Sequence, residues 1–493
     1  MHLVRRRAIS ALAILTVLAT LLGAQPGASR AKSPAAVDMN VTLSVFTCCG
    51  SLQGFNSNDP NNVFSIYNIF HSRLAKAFPN LKWQETAVSD WPTLETKLTL
   101  AVNSGNAPDM VFIQGGYMGF SVLRKLAQPL DTYFQSYHIS DNYFLPAMAK
   151  WTHFGGHWWG VPAVSGPLAG QMVYLPKYMT SLGFNNANLK TFADLYAMSK
   201  KAVRFDSAGN LTRIGYFPSG SGPSGVNWQT TARGMCPIGH GIYNTANQPT
   251  ADDPCNVAWL SYIKQLSDLY GGYTKVAKFT SGDPQIWNGS SKDYMAVGKA
   301  LIAPEANAYW SITPFDTFNF GVKGGLQYGL TTLPPTLHGT MAEAANIPST
   351  QQAIIIPTGA KHPDAAFLVS KFICWDNGYL LGPSTNGSPV SADQQKWLDG
   401  LIAGEAALRR KAGLAGNPSA TLEGIKLQPQ LARLSQATLP INPVDVYYQD
   451  QLSKATARVL YGQQTPLAAL QQVQRLVLAD QKRLQNQYGA WNW

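Results

Sequence analysis

His153 and His157 stand four residues apart, the spacing at which a helix carrying a glutamate between two histidines holds a zinc ion. Here the residues between them include Gly155-Gly156 and no acid, which reads as a hairpin, and metal binding is not expected there. The run GSGPSG at 220–225 has the spacing of a dinucleotide-binding turn. Pro223 and the absence of a helix pattern directly after it make it a loop instead. No HExxH, GxSxG, CxxC or phosphate-loop motif occurs, so no cofactor is expected. A glycosidase needs two carboxylates facing across a cleft. The 27 acids leave that open, but Glu85, Glu95 and Glu305 read as surface or turn residues. What remains is aromatic: 13 Trp and 21 Tyr are more indole and phenol than a core uses, so some rings should be on display.

Two positions are marked by their surroundings. In SGNAPDMVFIQGGY, 104–117, a turn precedes the apolar run Met110–Ile113 and a Gly-Gly break follows it, with Tyr117 just past the end. Trp228, in SGPSGVNWQ, sits on a Gly/Ser-rich loop where a bulky ring has little core to enter. The elements before Tyr117 give it a setting. NVTLSVFT (40–47) predicts a strand, and Val63, Ile66, Tyr67, Phe70, Leu74 and Phe78 share one helical face. LKWQETAV is a second strand, and a helix from about Trp91 carries Leu94, Leu98 and Val102 to a stop at Gly105. Strand Met110–Ile113 completes a β-α-β-α-β order, which implies a mostly parallel, helix-covered sheet. Ligands of such sheets sit outside the carboxyl ends of the strands. Those ends are at 48–53 and 114–118, and Tyr117 faces a cleft on this reading.

Further on, 153–177 reads as a Gly-Gly hairpin, a long apolar crossing and a strand ending at Tyr174. Thr191 and Asp194 have capping-box spacing. Residues 218–258 are loop-rich, IIIP (354–357) is a buried strand, Pro363 opens a helix, and Thr465-Pro466 caps the last one.

At 493 residues the chain exceeds one ordinary core, and two or more domains are expected. Arg5-Arg6-Arg7, the apolar run Ala8–Gly23 and the small residues that follow make 1–31 a secretory signal peptide, with cleavage after Ala24, Ala28 or Ala31. Its removal lowers the net charge from +11 to about +7. No cysteine lies near the cleavage zone, so a lipid anchor is not expected. No Lys/Arg block is interleaved with aromatics, and nucleic-acid binding is not expected either. Of the five cysteines, Cys236 and Cys255 could close a loop in an oxidising compartment. Adjacent Cys48 and Cys49 rarely bridge each other, and Cys374 reads as a buried small hydrophobe.

Seven stretches, in order, carry a family likeness: FHSRLAKAFPNLKWQE; KLTLAVNSGNAPDMVFI with LAQPLDTYF; WWGVPAVSGPLAGQMVYLPKYMTSLGF; the small-residue run into Trp310; YGLTTLPP; AIIIPTGAKHPDAAFLVSKFI; and VLYGQQTPLAALQQVQ. Together they resemble the bacterial extracellular solute-binding proteins of ABC sugar importers, the family that includes maltose-binding protein. The resemblance implies an α/β, two-lobe periplasmic-binding-protein fold of the class II type, its lobes joined by a multi-strand hinge with a ligand cleft between them. It divides the chain into an N-terminal lobe of 38–160 and 330–385 and a C-terminal lobe of 161–329 and 386–493. It implies a carbohydrate ligand, an ABC permease as membrane partner, a monomer and an exported location. The chain is longer than is usual for the family, with the excess at 218–258 and 391–430.

Sugar recognition needs flat apolar faces for C–H groups and planar donors and acceptors for hydroxyls. By resemblance Trp310 stands where the family keeps a cleft Trp, with core packing as the competing reading. Tyr447 and Tyr448 lie where the family's late helix nears the cleft, and one of them must face the core. Tyr117 and Trp228 have the placements given above. Gln114, Ser165, Gln351 and Asn386 are polar candidates at loop positions, and Asp109 reads as a turn or cap residue. The same fold takes up polyamines and phosphate esters, whose charges would want several acids or clustered Arg. Neither cluster is visible in the sequence, and the displayed aromatics favour a neutral sugar. A secreted carbohydrate-active enzyme is the remaining alternative.

Overall fold

The computed structural model describes residues 37–48, 73–165, 171–185, 189, 191–218, 228, 236, 240–281, 294–295, 297–303, 329–332, 351–377, 388–411 and 441–491. The sequence-predicted helix over 63–78 lies mostly outside them, and Trp310 and Asn386 lie wholly outside.

The first sheet forms as the β-α-β-α-β pattern requires. Strands β1 (Thr42–Cys48) and β2 (Lys82–Val88) pair in parallel, and β1 pairs in parallel with β3 (Met110–Gln114). Helix α1 (Trp91–Asn103) links β2 to β3. Its N-cap Asp90 accepts the Thr93 N–H, and Pro92 occupies the first turn, where no backbone donor is needed. Leu94 and Leu98, one turn apart, are its buried face. Asp109 is a turn and cap residue, as the sequence implies, in the turn just before β3. It is buried and accepts the backbone N–H of Ser44 (2.9 Å) and of His362 (2.8 Å), tying β1 to the start of a later helix.

The crossing after the Gly-Gly hairpin returns to the same sheet. Strand β4 (Val161–Ser165) is its far edge, and the sheet runs β2-β1-β3-β10-β4, with β10 (Gln351–Ile355) antiparallel to both neighbours. The second sheet, β9-β5-β8-β7-β6, is built from β5 (Gln171–Tyr174), β6 (Arg204–Phe205), β7 (Leu211–Tyr216), β8 (Ala300–Ala303) and β9 (Gly329–Thr332). The expected lobe limits therefore need moving. Residues 161–165 belong to the first sheet, the strand at 329–332 belongs to the second, and Val390 packs in the first core. The reason is pairing: β4 satisfies its ladder on β10, which a break at 160 would leave open.

Each sheet has its own apolar core, so the fold is two α/β lobes. The first gathers Val45, Val111, Ile354, Phe134 and Trp375, and the second gathers Ile214, Trp259, Tyr270 and Leu301. Around the second sheet stand α3 (Phe192–Ala202), with the Thr191–Asp194 capping box formed, and α4 (Pro254–Leu269). Helix α5 (Pro363–Lys371) covers the first sheet. The chain closes with α6 (Asp445–Leu460) and α7 (Pro466–Tyr488), an antiparallel pair whose inner faces, Leu452, Val459, Leu470 and Val477, enter the second core. Thr465 caps α7 and Pro466 is its first residue.

Cys236 and Cys255 are joined, with Cα atoms 5.6 Å apart, and Cys374 is buried and free. Cys48, at the end of β1, is disulfide-bonded as well. The sequence reading held only that adjacent Cys48 and Cys49 rarely bridge each other.

Candidate ligand-binding site

Three of the polar candidates meet along one sheet edge. Because β10 runs opposite to β3 and β4, its first residue lies level with their last ones. Gln351 pairs with Ser165, and Gln352 pairs with Gln114. The amide of Gln352 also donates to that of Gln114 at 3.4 Å. This is the carboxyl end of the parallel strands, where α/β sheets take their ligands.

Beyond β3 the chain turns at Gly115-Gly116 into a short helix, α2 (Tyr117–Leu123). The two glycines on its near side have a steric purpose. A Cβ at Gly116 would overlap the carboxyl group of Asp445, and one at Gly119 would overlap the carbonyl of Ile441. So the first lobe's α2 rests directly on the segment that starts α6, which belongs to the second core. Larger residues could not make that approach.

Next to this contact lies a cavity of about 630 Å³ between the lobes. Its walls are Pro92 and Glu95 of α1, the turn 114–117, Phe120 and Arg124, the first two turns of α6, and Asp480 and Arg483 of α7. Tyr117, Gln114 and Tyr447 all line it. Tyr448, their neighbour in the sequence, is fully buried against Tyr243 in the second core. The Tyr117 ring also stands 5.9 Å from that of Trp91.

The cavity presents unsatisfied polar groups. Among the described residues, no hydrogen bond is made by the carboxylate of Glu95, by the hydroxyls of Tyr117 and Tyr447 or by the guanidinium of Arg124, whose buried Nε is without a partner. Burial raises the Glu95 carboxyl to about 7, and the charge of Arg124 works against that rise. Burial also pushes the Tyr117 hydroxyl up, with the carboxylates of Glu95, Asp445 and Asp90 adding to it. Asp445 is 2% exposed and accepts from the Tyr243 hydroxyl (2.8 Å) and the Gln449 amide (3.2 Å). Partly buried donors and acceptors left open around a void of this size are what a polar small molecule would fill.

A family of bacterial extracellular solute-binding proteins matches residues 72–377, more than half of the chain. The chain belongs to that family. Solved structures of binding proteins share the fold at low identity. CpMnBP1 with mannotriose bound is 20% identical over 89% of this chain and 100% of that one, with a TM-score of 0.60. The ABC substrate-binding protein Lmo0181 from Listeria monocytogenes, in complex with cycloalternan, is 14% identical over 90% and 99%, at 0.62. UgpB from Mycobacterium tuberculosis, in complex with glycerophosphocholine, is 14% identical over 90% and 99%, at 0.61. No curated protein matches. Among the described residues no helix of this binding protein is long and apolar enough to cross a membrane.

Trp228 corrects the sequence reading. Its ring is 1% exposed in the second core, and its indole N–H donates to the Thr456 hydroxyl at 3.1 Å. The ring lies inward against α6 rather than on display. Glu95 corrects it in the other direction: it is half-buried and faces the cavity. The sequence does hold a signal on α2, where Tyr117, Phe120 and Arg124 recur at i, i+3 and i+7 and so share one face. Nothing local marks Asp445, which reaches the site from the far end of the chain. The two histidines lie in the expected hairpin and pair with separate acids, His153 with Asp141 (2.6 Å) and His157 with Asp131 (2.8 Å).

Proposed function

We propose that this binding protein holds a carbohydrate, an oligosaccharide in size, in the interlobe cavity and delivers it as a monomer to an ABC permease. The observation that carries the reading is the cavity itself: two tyrosines with open hydroxyls, beside a carboxylate and a guanidinium that have no hydrogen-bond partner among the described residues. Aromatic faces suit pyranose C–H groups, and the open donors and acceptors suit hydroxyls. Mannotriose and cycloalternan in structures of the same fold agree with that class. Glycerophosphocholine in another shows that the fold also takes a phosphate ester. No bond chemistry is assigned. Ligand would touch both lobes only when they are closed, and that difference in contacts would favour the closed form. Ser165, Gln351, Asn386 and Trp310 complete the proposed contact set, and an exported, periplasmic or extracellular location with residues 1–31 as signal peptide goes with it.

A thermal-shift screen of saccharides, polyamines and phosphate esters tests the reading. A saccharide in large excess over its dissociation constant should raise the melting temperature by several degrees, since binding at 100 times Kd stabilises by about 2.7 kcal/mol. It should be recovered unchanged, and the shift should be lost in Tyr117→Ala. A response to polyamines or phosphate esters alone would sink the carbohydrate reading, and a consumed saccharide would turn it into an enzyme's.

A further inference from the structure

Two opposite charges of the cavity wall stand near each other without touching. Glu95 comes from α1 and Arg124 from the end of α2. The field of Arg124 reaches Glu95, yet no hydrogen bond or ion pair joins them, and neither has another among the described residues. The Arg124 guanidinium lies over the Phe120 ring, 4.0 Å from its centroid, which restrains its plane, and its Nε is buried. The other charges nearby are paired or act elsewhere. On α7 Asp480 holds Arg483 at 2.7 Å, and on α6 Asp450 holds Lys454 at 2.7 Å. The charges of Asp445, buried at the start of α6, and of Asp90 act on the Tyr117 hydroxyl. On the sheet side of α1, Glu85 of β2 accepts from Thr47 and Trp83. Arg124 is the charge, among the described residues, that acts on Glu95. A hydroxyl can accept from a guanidinium and donate to a carboxylate at one oxygen, so a single such group would satisfy both.

We propose that one hydroxyl of the bound saccharide bridges Arg124 and Glu95, accepting from the guanidinium and donating to the carboxylate, and that binding therefore expels a proton from Glu95. This rests on the carbohydrate reading and adds the pair of residues that orients the sugar. Burial holds the Glu95 carboxyl at about 7, so near neutral pH a good part of the protein carries a proton there. A hydroxyl that donates to the carboxylate, itself bound by Arg124, favours the charged form and lowers that value. Affinity should then rise with pH and level off above about 7. A ligand that met Glu95 only with an apolar face would bury the carboxyl further and bind with the opposite slope.

Calorimetric titration of the purified protein with mannotriose, maltotriose, cellotriose and xylotriose, from about pH 5.5 to 8, tests this. At least one sugar should bind, and its affinity should rise about tenfold from the acid end to the plateau, the scale of one charge-assisted hydrogen bond. Near neutral pH the binding heats in Tris and in phosphate should differ in the sense of proton release, because the two buffers take up a proton with different heats. Glu95→Gln should flatten the pH profile and abolish that difference. Arg124→Met should weaken binding and move the rise to higher pH, since Glu95 loses the charge that opposes its protonation. A merely structural role for Arg124 would leave the pH of the rise in place. Proton uptake or a flat profile in the parent protein overturns the bridge and leaves the carbohydrate reading standing. Silence from all four sugars overturns the bridge, and binding of spermidine or glycerophosphocholine in their place overturns the carbohydrate reading as well.

Discussion

Gly119 lies against the carbonyl oxygen of Ile441 so closely that a methyl group in place of its hydrogen would overlap it. The first residue belongs to a helix of the first lobe and the second to the lead-in of the helix that packs in the other core. Alanine normally stabilises a helix over glycine by about 1 kcal/mol. At this position the sign should reverse, because a backbone carbonyl cannot rotate aside as a side chain can. Gly119→Ala should cost about 1–3 kcal/mol in urea unfolding. A stabilised variant would show that the lobes do not bear on each other here.

Glu95 should make stability fall as the pH rises. Its carboxyl is raised by burial from 4.5 to about 7, against the pull of Arg124. Between those values the folded chain holds a proton that the unfolded chain has released, so stability declines through that window and the cost is complete above it. Solvent still reaches the group, which limits the effect to about 1–2 kcal/mol. Glu95→Gln should therefore melt higher than the parent at pH 8 and with it at pH 4. Coincident melting curves at pH 8 would contradict the burial.

The carboxylate of Asp445 and the hydroxyl of Tyr243 should behave as a unit. Asp445 is buried, and Tyr243 donates to it at 2.8 Å. Removing one partner takes this buried bond from the other, a loss of about 1–3 kcal/mol. Asp445→Ala and Tyr243→Phe should each destabilise, and the double variant should lose less than the sum. Asp445→Asn keeps an acceptor and should fall between. Strict additivity in the cycle would mean the two are not coupled.

The elements were legible where the pattern is local. The spacing of Leu94 and Leu98, the Thr191–Asp194 box and the Thr465-Pro466 start each specify a helix by themselves, and each helix is present. So was the outlet of β3, since a Gly-Gly break after an apolar strand leaves Tyr117 no path but over the sheet edge. Trp228 misled because a Gly/Ser-rich neighbourhood describes how the chain bends and says nothing about where a ring ends up. Its destination is set by Thr456, 228 residues away. Glu95 was missed because its role depends on burial by a segment that joins α1 only in the folded chain. Lobe limits failed for a similar reason: a strand's sheet is chosen by its partner, and β4 carries no mark of β10.

The bridge between Cys236 and Cys255 closes a loop over a sequence separation of 19. Cross-linking a loop of that length restricts the unfolded chain by about 3 kcal/mol. Cys255 also lies in the first turn of α4, where the N-cap Asp253 accepts its N–H at 2.9 Å, so the helix start is held by two devices. Reductant, or Cys236→Ser, should lower unfolding stability by about 2–4 kcal/mol. Cys374 should remain unlabelled by thiol reagents in the folded protein, because full burial pushes its thiol up and keeps it protonated. Rapid labelling at native conditions would place that side chain outside the core.

Trp228 separates a stability role from a binding one. Its indole fills the second core and donates to Thr456, which itself donates to the carbonyl of Leu452 within α6. Trp228→Ala removes a large buried ring and should cost about 3–5 kcal/mol. Trp228→Phe keeps most of the packing but leaves Thr456 without its donor, and should cost less. Neither ring change touches the walls of the cavity, so ligand affinity of Trp228→Phe, measured well below its melting temperature, should match the parent. Tyr117→Phe should show the opposite profile, with stability nearly kept and affinity reduced, because the hydroxyl it lacks has no partner within the described protein. A Trp228→Phe protein that folds normally and no longer binds would return that ring to the ligand.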